Sequence, residues 1–150
     1  MLFTFLPPAD ELQVRNLIAR YALHTDAGEP EAFAALYTED GSWTRENSPP
    51  VALGGSGLPS QTFTGREALA DLIIQSAINR VQRKVRHQMT DVLVEPGDNA
   101  EEARITFRAL VTNWMDGPGK IAMCVHYRGL AVKRAEGWML QTISARVLPE

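Results

Sequence analysis

The 150 residues include 45% hydrophobic and 22% charged side chains, a composition that allows one substantial core and excludes a disordered chain. A net charge of −3, without a run of Lys or Arg, gives no surface suited to nucleic acid or to an anionic membrane. The length predicts one domain spanning residues 1 to 150. The single cysteine, Cys124, excludes an internal disulfide, so we expect a cytoplasmic protein.

Two helices that form a hairpin are predicted near the start of the chain. Asp10, followed three residues later by Gln13, is typical of a capping box at a helix start. Apolar residues then recur at helical spacing as far as Asp26, which predicts one long amphipathic helix. Residues 31 to 36 are interpreted as a second, shorter helix that Pro30 opens.

A short strand and a long loop are predicted between the hairpin and a third helix. The strand covers residues 42 to 45, and residues 47 to 61 are rich in proline, glycine and serine without periodicity. Loops of this length in a compact domain often close over a binding site, and plain disorder is the alternative. Thr64 is expected to cap the third helix, because Glu67 completes another capping box.

Four segments with the pattern of β-strands follow the third helix. They cover residues 84 to 94, 101 to 115, 119 to 134 and 137 to 147, with turns short enough for antiparallel hairpins. Helices followed by an antiparallel meander predict an α+β fold, with the helices packed on one face of a strongly curved sheet. The other face of such a sheet keeps apolar area to bury, so we expect a homo-oligomer, either a dimer or a trimer.

Two polar residues are predicted to face the interior, where they would form a catalytic pair if they meet. Asp26 lies on the apolar side of the first helix, although an aspartate there is also typical of a turn. His87 shares one face of its strand with three apolar residues, Val85, Met89 and Leu93. A lone histidine in that position is more often a core residue, but a nearby carboxylate would orient the ring and raise its basicity.

Aromatic residues supply candidate contacts for a substrate. Tyrosine and tryptophan combine apolar area with one hydrogen-bonding group, which suits a pocket for a flat, partly oxygenated small molecule. Tyr21 and Trp43 lie close to the expected position of Asp26, and Tyr127 on the sheet is a further candidate. Phe107 and Trp138 are interpreted as core residues.

The sequence contains no motif for a dinucleotide, a P-loop, a zinc protease or an α/β-hydrolase. Three scattered histidines do not suggest a metal site. We therefore expect no cofactor and no metal, and any chemistry would use ordinary side chains.

The chain resembles the SnoaL-like group of the NTF2-like superfamily. The stretch IARYALHTDAGEPEAFAALYTEDGSW is similar to that group's opening, in which a tyrosine and an aspartate precede an acidic-Gly-aromatic strand. The segments VRHQMTDVLVE and VHYRGLAVKRAEGWML are similar to its later signatures, a histidine on a strand and a Tyr-to-Gly-Trp hairpin. The resemblance runs from about Asp10 to Val147, and it implies a cone-shaped α+β barrel whose curved, mixed sheet wraps around three helices.

The resemblance also implies an activity. In scytalone dehydratase and hexachlorocyclohexane dehydrochlorinase, members of the superfamily, an aspartate on the first helix pairs with a histidine on the sheet, and these positions match Asp26 and His87. Scytalone dehydratase has a second pocket histidine on the next strand, where this chain has none and Asn113 is the nearest polar residue. The implied function is a cofactor-independent lyase or isomerase, similar to a dehydratase, for a cyclic or aromatic polyketide-like molecule.

A noncatalytic function is the alternative. The small subunit of ring-hydroxylating dioxygenases shares the fold of this superfamily without catalysing a reaction. His126, Arg128 and Trp114 are predicted to lie on outward faces, where they could build an interface between sheets. The sequence alone leaves an enzyme and an assembly subunit both open.

Overall fold

The computed structural model describes residues 5–46, 50, 52, 57–82 and 84–148, with the side chains of residues 77–82 left out. Most of the loop predicted over residues 47 to 61, including its proposed closure over a site, lies outside the described residues. The elements in chain order are α1 (Pro8–Ala27), α2 (Pro30–Ala34), β1 (Tyr37–Arg45), β2 (Gln61–Thr64), α3 (Arg66–Gln82), β3 (Val85–Pro96), β4 (Glu102–Asn113), β5 (Lys120–Arg134) and β6 (Gly137–Leu148).

A single six-stranded sheet in the order β2-β1-β6-β5-β4-β3 holds all the described strands. The strands from β3 to β6 form the predicted antiparallel meander. β1 then joins β6 in parallel, and β2 pairs antiparallel with β1, so the sheet is mixed. In the described part of the chain β2 and β3 are its edges, so the sheet curves around three helices without closing. The α+β fold is confirmed, whereas the expected oligomer stays a prediction.

The core lies between the concave face of the sheet and the helices, where α1 packs against β3 and β6. Alternate residues of β4, among them Ile105 and Phe107, are buried because successive side chains of a strand point to opposite faces. The predicted core residues Phe107 and Trp138 are both buried. Full burial of one such side chain contributes about 1.5–3 kcal/mol of hydrophobic free energy.

The start of α1 differs from the prediction, because Asp10 does not cap it. Pro7 holds the N-cap position without a side-chain hydrogen bond, and Pro8 opens the helix. One oxygen of Asp10 instead accepts a hydrogen bond from the Trp138 indole N–H and another from the Lys133 ammonium, each 2.9 Å long. The hydrogen bond from Lys133 and, to a smaller extent, the one from Trp138 lower the pKa of the Asp10 carboxyl. The predicted capping box is therefore wrong, and Asp10 ties α1 to the β5–β6 hairpin.

Two element boundaries after the helical hairpin also differ from the prediction. β1 begins at Tyr37 rather than Ser42, because the segment from Glu39 to Gly41, which reads as a turn, forms an irregularity within the strand. Thr64 does not cap α3, since it ends the unpredicted strand β2 and pairs with Ser42. The third helix begins at Arg66.

A bulge in β3 changes which residues face the core. Asp91 has a φ of +52°, and the pairing of β3 with β4 shifts register at this point. An extra residue reverses the alternation of a strand, so Val92 and Val94 lie inward and Leu93 is half exposed. The prediction that Leu93 shares the inner face with His87 is therefore wrong.

Gly129 allows β5 and β6 to approach closely. A Cβ atom at this position would lie 2.3 Å from the Thr142 carbonyl oxygen and 2.7 Å from Cδ1 of Ile143. We expect Gly129→Ala to lower the free energy of unfolding by about 1–3 kcal/mol, because the strands must shift to accept the methyl group. Urea unfolding measures the change, and an unchanged midpoint would contradict the close approach.

Candidate functional site

The last turn of α1 and the start of β3 bring Asp26 and His87 together. Oδ1 of Asp26 lies 2.6 Å from Nδ1 of His87, and Oδ2 accepts a hydrogen bond of 2.8 Å from the His87 backbone N–H. The side chains are 13% and 7% exposed, respectively. One carboxylate thus holds both the backbone and the ring of the histidine.

The position of each side chain follows from the periodicity of its element. Asp26 follows the buried residues Tyr21, Ala22 and Thr25. α1 ends at Ala27, and its C-cap residue Gly28 has a left-handed φ of +68°. A negative charge near a helix C-terminus is unfavourable in the field of the helix dipole. The two N–H groups of His87 offset this effect, because each can donate to the carboxylate.

The geometry selects one form of the imidazole. An ionised carboxylate only accepts hydrogen bonds, so Nδ1 of His87 carries the hydrogen that it donates to Asp26. In the neutral ring the lone pair then lies on Nε2. Nε2 of His87 can therefore accept a proton, and Asp26 can stabilise the imidazolium that forms.

Three of the predicted substrate contacts, Tyr21, Trp43 and Tyr127, lie in one buried aromatic cluster with Phe33 and Phe107. The Trp43 indole N–H donates a hydrogen bond of 2.9 Å to the Tyr21 hydroxyl. Tyr127 stacks on Phe107 with the ring centroids 4.7 Å apart. The rings form one packed cluster, because each is held by at least one neighbouring ring or hydrogen bond.

Asn113, the fourth predicted contact, lies at the end of β4. It pairs with Val85, so it is a diagonal neighbour of His87 on the same face of the sheet. Its side-chain oxygen accepts a hydrogen bond of 2.9 Å from the Met115 backbone N–H, which leaves the amide NH₂ as its donor group. It also lines a depression of about 140 Å³ beside the β4–β5 turn.

Two buried hydroxyl groups, those of Thr25 and Tyr37, lie near these residues. Within the described part of the chain, Tyr37 OH and Thr25 Oγ1 are the buried side-chain atoms without a hydrogen-bond partner. Thr25 lies one helical turn after Tyr21, and the ring of Tyr37 contacts Phe33 at a centroid distance of 5.4 Å. Helical spacing predicts the inward position of Thr25, and the structure confirms it. Tyr37 gave no signal, because β1 was predicted to begin after it.

Tyr37 gives the folded protein a pH-dependent stability. Burial, with smaller contributions from Tyr21 and Tyr127, raises the pKa of its hydroxyl well above the ordinary value. The folded chain therefore keeps a proton that the unfolded chain loses above about pH 10, so folding stability falls as the pH rises through that range. As the pH rises through this range, the free energy of unfolding of the wild type should fall more steeply than that of Tyr37→Phe. The difference in slope should be at most about 1.4 kcal/mol per pH unit. Urea unfolding between about pH 8 and pH 11 measures this, and parallel profiles would contradict it.

The other two histidines lie away from the Asp26–His87 pair. Nδ1 of His24 is 2.6 Å from Oε2 of Glu29 at the exposed end of α1. His126 and Arg128 line a small depression on the outer side of the sheet with three other residues, Glu46, Ser144 and Arg146. The predicted outward position of Arg128 is confirmed.

The described residues show neither a metal centre nor a membrane helix. No group of three His, Cys, Asp or Glu side chains in this part of the chain is placed to hold a metal ion. In the same residues no helix is both long and apolar enough to cross a membrane.

Comparison with known proteins identifies the family and the fold. The model of the SnoaL-like domain family matches residues 8–144. No curated protein matches the sequence. An NTF2-like protein with a cystatin-like fold from Novosphingobium aromaticivorans superposes with a TM-score of 0.78 at 23% identity, over 93% of this chain and 82% of that one.

Two further solved structures share the fold. A Catenulispora acidiphila protein in complex with S-DNPA has a TM-score of 0.71 at 20% identity, over 94% of this chain and 95% of that one. A candidate dehydratase of the NTF2-like family from Streptomyces avermitilis has a TM-score of 0.67 at 18% identity, over 96% of this chain and 99% of that one. At these identities the similarity establishes the fold, and the site must be argued from its own residues.

Proposed function

This chain belongs to the SnoaL-like domain family, and we propose that it is a cofactor-independent lyase or isomerase for a cyclic or aromatic, polyketide-like small molecule. The observation that carries the proposal is the contact of 2.6 Å between Asp26 and His87. A histidine whose Nδ1 is held in this way keeps Nε2 as the ring atom that can accept a proton, which suits removal of a proton from carbon.

In the proposed reaction Nε2 of His87 removes a proton from the carbon next to a carbonyl group. The electron pair of the broken C–H bond forms an enolate, and the imidazolium is stabilised by Asp26. In an elimination the enolate expels a hydroxyl group from the next carbon, and the proton on His87 leaves with that oxygen as water. In an isomerisation the same proton returns to a different carbon. Neither sequence needs an oxidant, a metal or a second substrate.

The aromatic cluster supports the proposed class of substrate. Tyr21, Trp43 and Tyr127 would give the proposed site aromatic surface suited to a planar molecule, while the Trp43 indole N–H is held by the Tyr21 hydroxyl. The NH₂ group of Asn113, on the same face of the sheet as His87, would hold a substrate oxygen or a water molecule near the reacting carbon. The complex of a structural neighbour with S-DNPA is consistent with a site for a small molecule in this fold.

The noncatalytic alternative is not favoured. An assembly subunit has no need of a carboxylate that holds a histidine away from solvent, as Asp26 holds His87. Two of the three residues expected at its interface, His126 and Arg128, line a depression on the outer side of the sheet. The presence of a candidate dehydratase among the structural neighbours also favours an enzyme over an assembly subunit.

The direct test uses 2-tetralone, a bicyclic ketone with acidic protons beside its carbonyl group. Wild-type protein in D₂O is expected to accelerate replacement of these protons by deuterium above the rate in buffer, as followed by proton NMR. Heat-denatured protein is the control for general buffer catalysis. A rate equal to that of buffer or of the denatured control would contradict the proposed proton abstraction.

A further inference from the structure

Met123 is an exposed apolar side chain on the same face of the sheet as His87. On β4, Val111 lies opposite His87, and on β5, Met123 lies opposite Val111. Residues directly opposite each other in an antiparallel sheet point to the same face, so these three side chains form one row across β3, β4 and β5. We call His87, Val111 and Met123 the base row.

The exposure of Met123 is unlike that of its neighbours on the same face of β5. Met123 is 39% exposed, whereas Val125 and Tyr127 are buried. In the described part of the chain the pairing of β5 with β6 ends at Cys124, so β4 supplies the strand neighbour of Met123. The base row thus carries open apolar surface at the end opposite His87.

Ile121, which is 70% exposed two residues earlier on β5, faces the other way. It lies opposite Thr112, whose hydroxyl donates a hydrogen bond of 3.1 Å to the Gln88 side chain on the outer face of the sheet. A single exposed apolar residue on an outer surface needs no special explanation. Met123, in contrast, extends the surface that holds the proposed base.

The separation within the base row suits a molecule of two fused rings. Neighbouring strands lie about 4.8 Å apart, so the Cα atoms of His87 and Met123 are about 10 Å apart across two intervals. A ring that reacts at Nε2 of His87 would need a second, fused ring to reach the methionine. The flexible thioether of Met123 can adapt to such a ring and makes favourable contacts with aromatic edges.

We propose that Met123 contacts a hydrocarbon ring fused to the ring that reacts at His87. The inference deepens the proposed function and rests on it for the position of the reacting carbon. Asn113, two residues after Val111 on the same face of β4, supplies the polar side of the site. The substrate then carries its oxygen toward Asn113 and bare hydrocarbon toward β5, and Met123 is a specificity-determining residue for ketones with fused rings.

Binding of 2-tetralone, whose benzene ring is the fused hydrocarbon ring, tests this contact by calorimetry. Met123→Gln keeps the length of the side chain and places an amide against the ring, so we expect Kd to rise about three- to tenfold. Met123→Leu keeps apolar surface and should bind within about twofold of the wild type. In protein with ¹³C-labelled methionine methyl groups, the methyl signal that Met123→Leu lacks should show nuclear Overhauser effects to the aromatic protons of 2-tetralone.

Ile121→Gln is the matched control, because it introduces the same side chain on the outer face of β5. It should keep the wild-type Kd, and melting temperatures show whether each variant is folded. Wild-type protein that does not bind 2-tetralone, a folded Met123→Gln variant with the wild-type Kd, or an equal rise in Ile121→Gln would overturn the contact. Absence of the Overhauser effects would also overturn it. These measurements do not require proton abstraction, so a failure of the proposed reaction is recognised separately by deuterium exchange.

Discussion

Replacing His87 with alanine is expected to lower the rate of deuterium exchange into 2-tetralone by about 10²–10⁴-fold. The imidazole is the group that we propose accepts the proton, and water is a poor substitute at neutral pH. Since the His87 side chain is 7% exposed beside Asp26, its loss also leaves the carboxylate with only the backbone N–H as partner. Proton NMR measures the exchange, and thermal unfolding shows whether the variant is folded.

The matched control for this variant is His24→Ala. His24 also contacts a carboxylate at 2.6 Å, but in its pair with Glu29 the side chains are 27% and 54% exposed. The two pairs therefore share their chemistry and differ in their environment. His24→Ala should keep the wild-type exchange rate. Equal effects of the two substitutions, or a folded His87→Ala variant with full activity, would show that His87 is not the base.

Asp26→Asn is expected to lower the same exchange rate by about 10²–10⁴-fold, although the side chain hardly changes in size. The carboxylate accepts from two donors of His87, the backbone N–H and Nδ1. An amide has one acceptor oxygen and an NH₂ group that only donates. If the oxygen keeps the backbone N–H, the NH₂ faces Nδ1 and favours the tautomer with hydrogen on Nε2. The proposed base then has no lone pair toward the substrate.

Glu29→Gln is the corresponding control, because it changes the exposed carboxylate beside His24 in the same way. We expect exchange at the wild-type rate in Glu29→Gln, and ¹⁵N NMR of the His87 ring should report the changed tautomer in Asp26→Asn. A folded Asp26→Asn variant with the wild-type rate would show that the histidine works without its carboxylate.

The sequence predicted the inward direction of Asp26 and of His87 separately, because each direction follows from the period of one element. It could not predict their contact, since they are 61 residues apart and meet only where α1 packs against β3. The family resemblance predicted that the two residues form a pair, which their separate periodicities could not do. The fold class and the meander, by contrast, were predicted from local pattern and short turns.

The wrong predictions arose where a local signal had a tertiary use. Asp10 looked like a helix cap, but Lys133 and Trp138, distant in sequence, bind its carboxylate. The acidic-Gly segment before Ser42 looked like a turn, and for that reason the start of β1 and the buried Tyr37 were missed. Propensity is a weak guide where distant residues supply the partners.

The most direct test of the catalytic pair is the deuterium exchange rate of the double variant Asp26→Asn/His87→Ala beside the two single variants. If the residues act as one unit, the double variant should be no slower than His87→Ala within a few-fold, because the carboxylate acts only through the imidazole. Losses that multiply in the double variant, or single variants as fast as the wild type, would contradict the proposed pair.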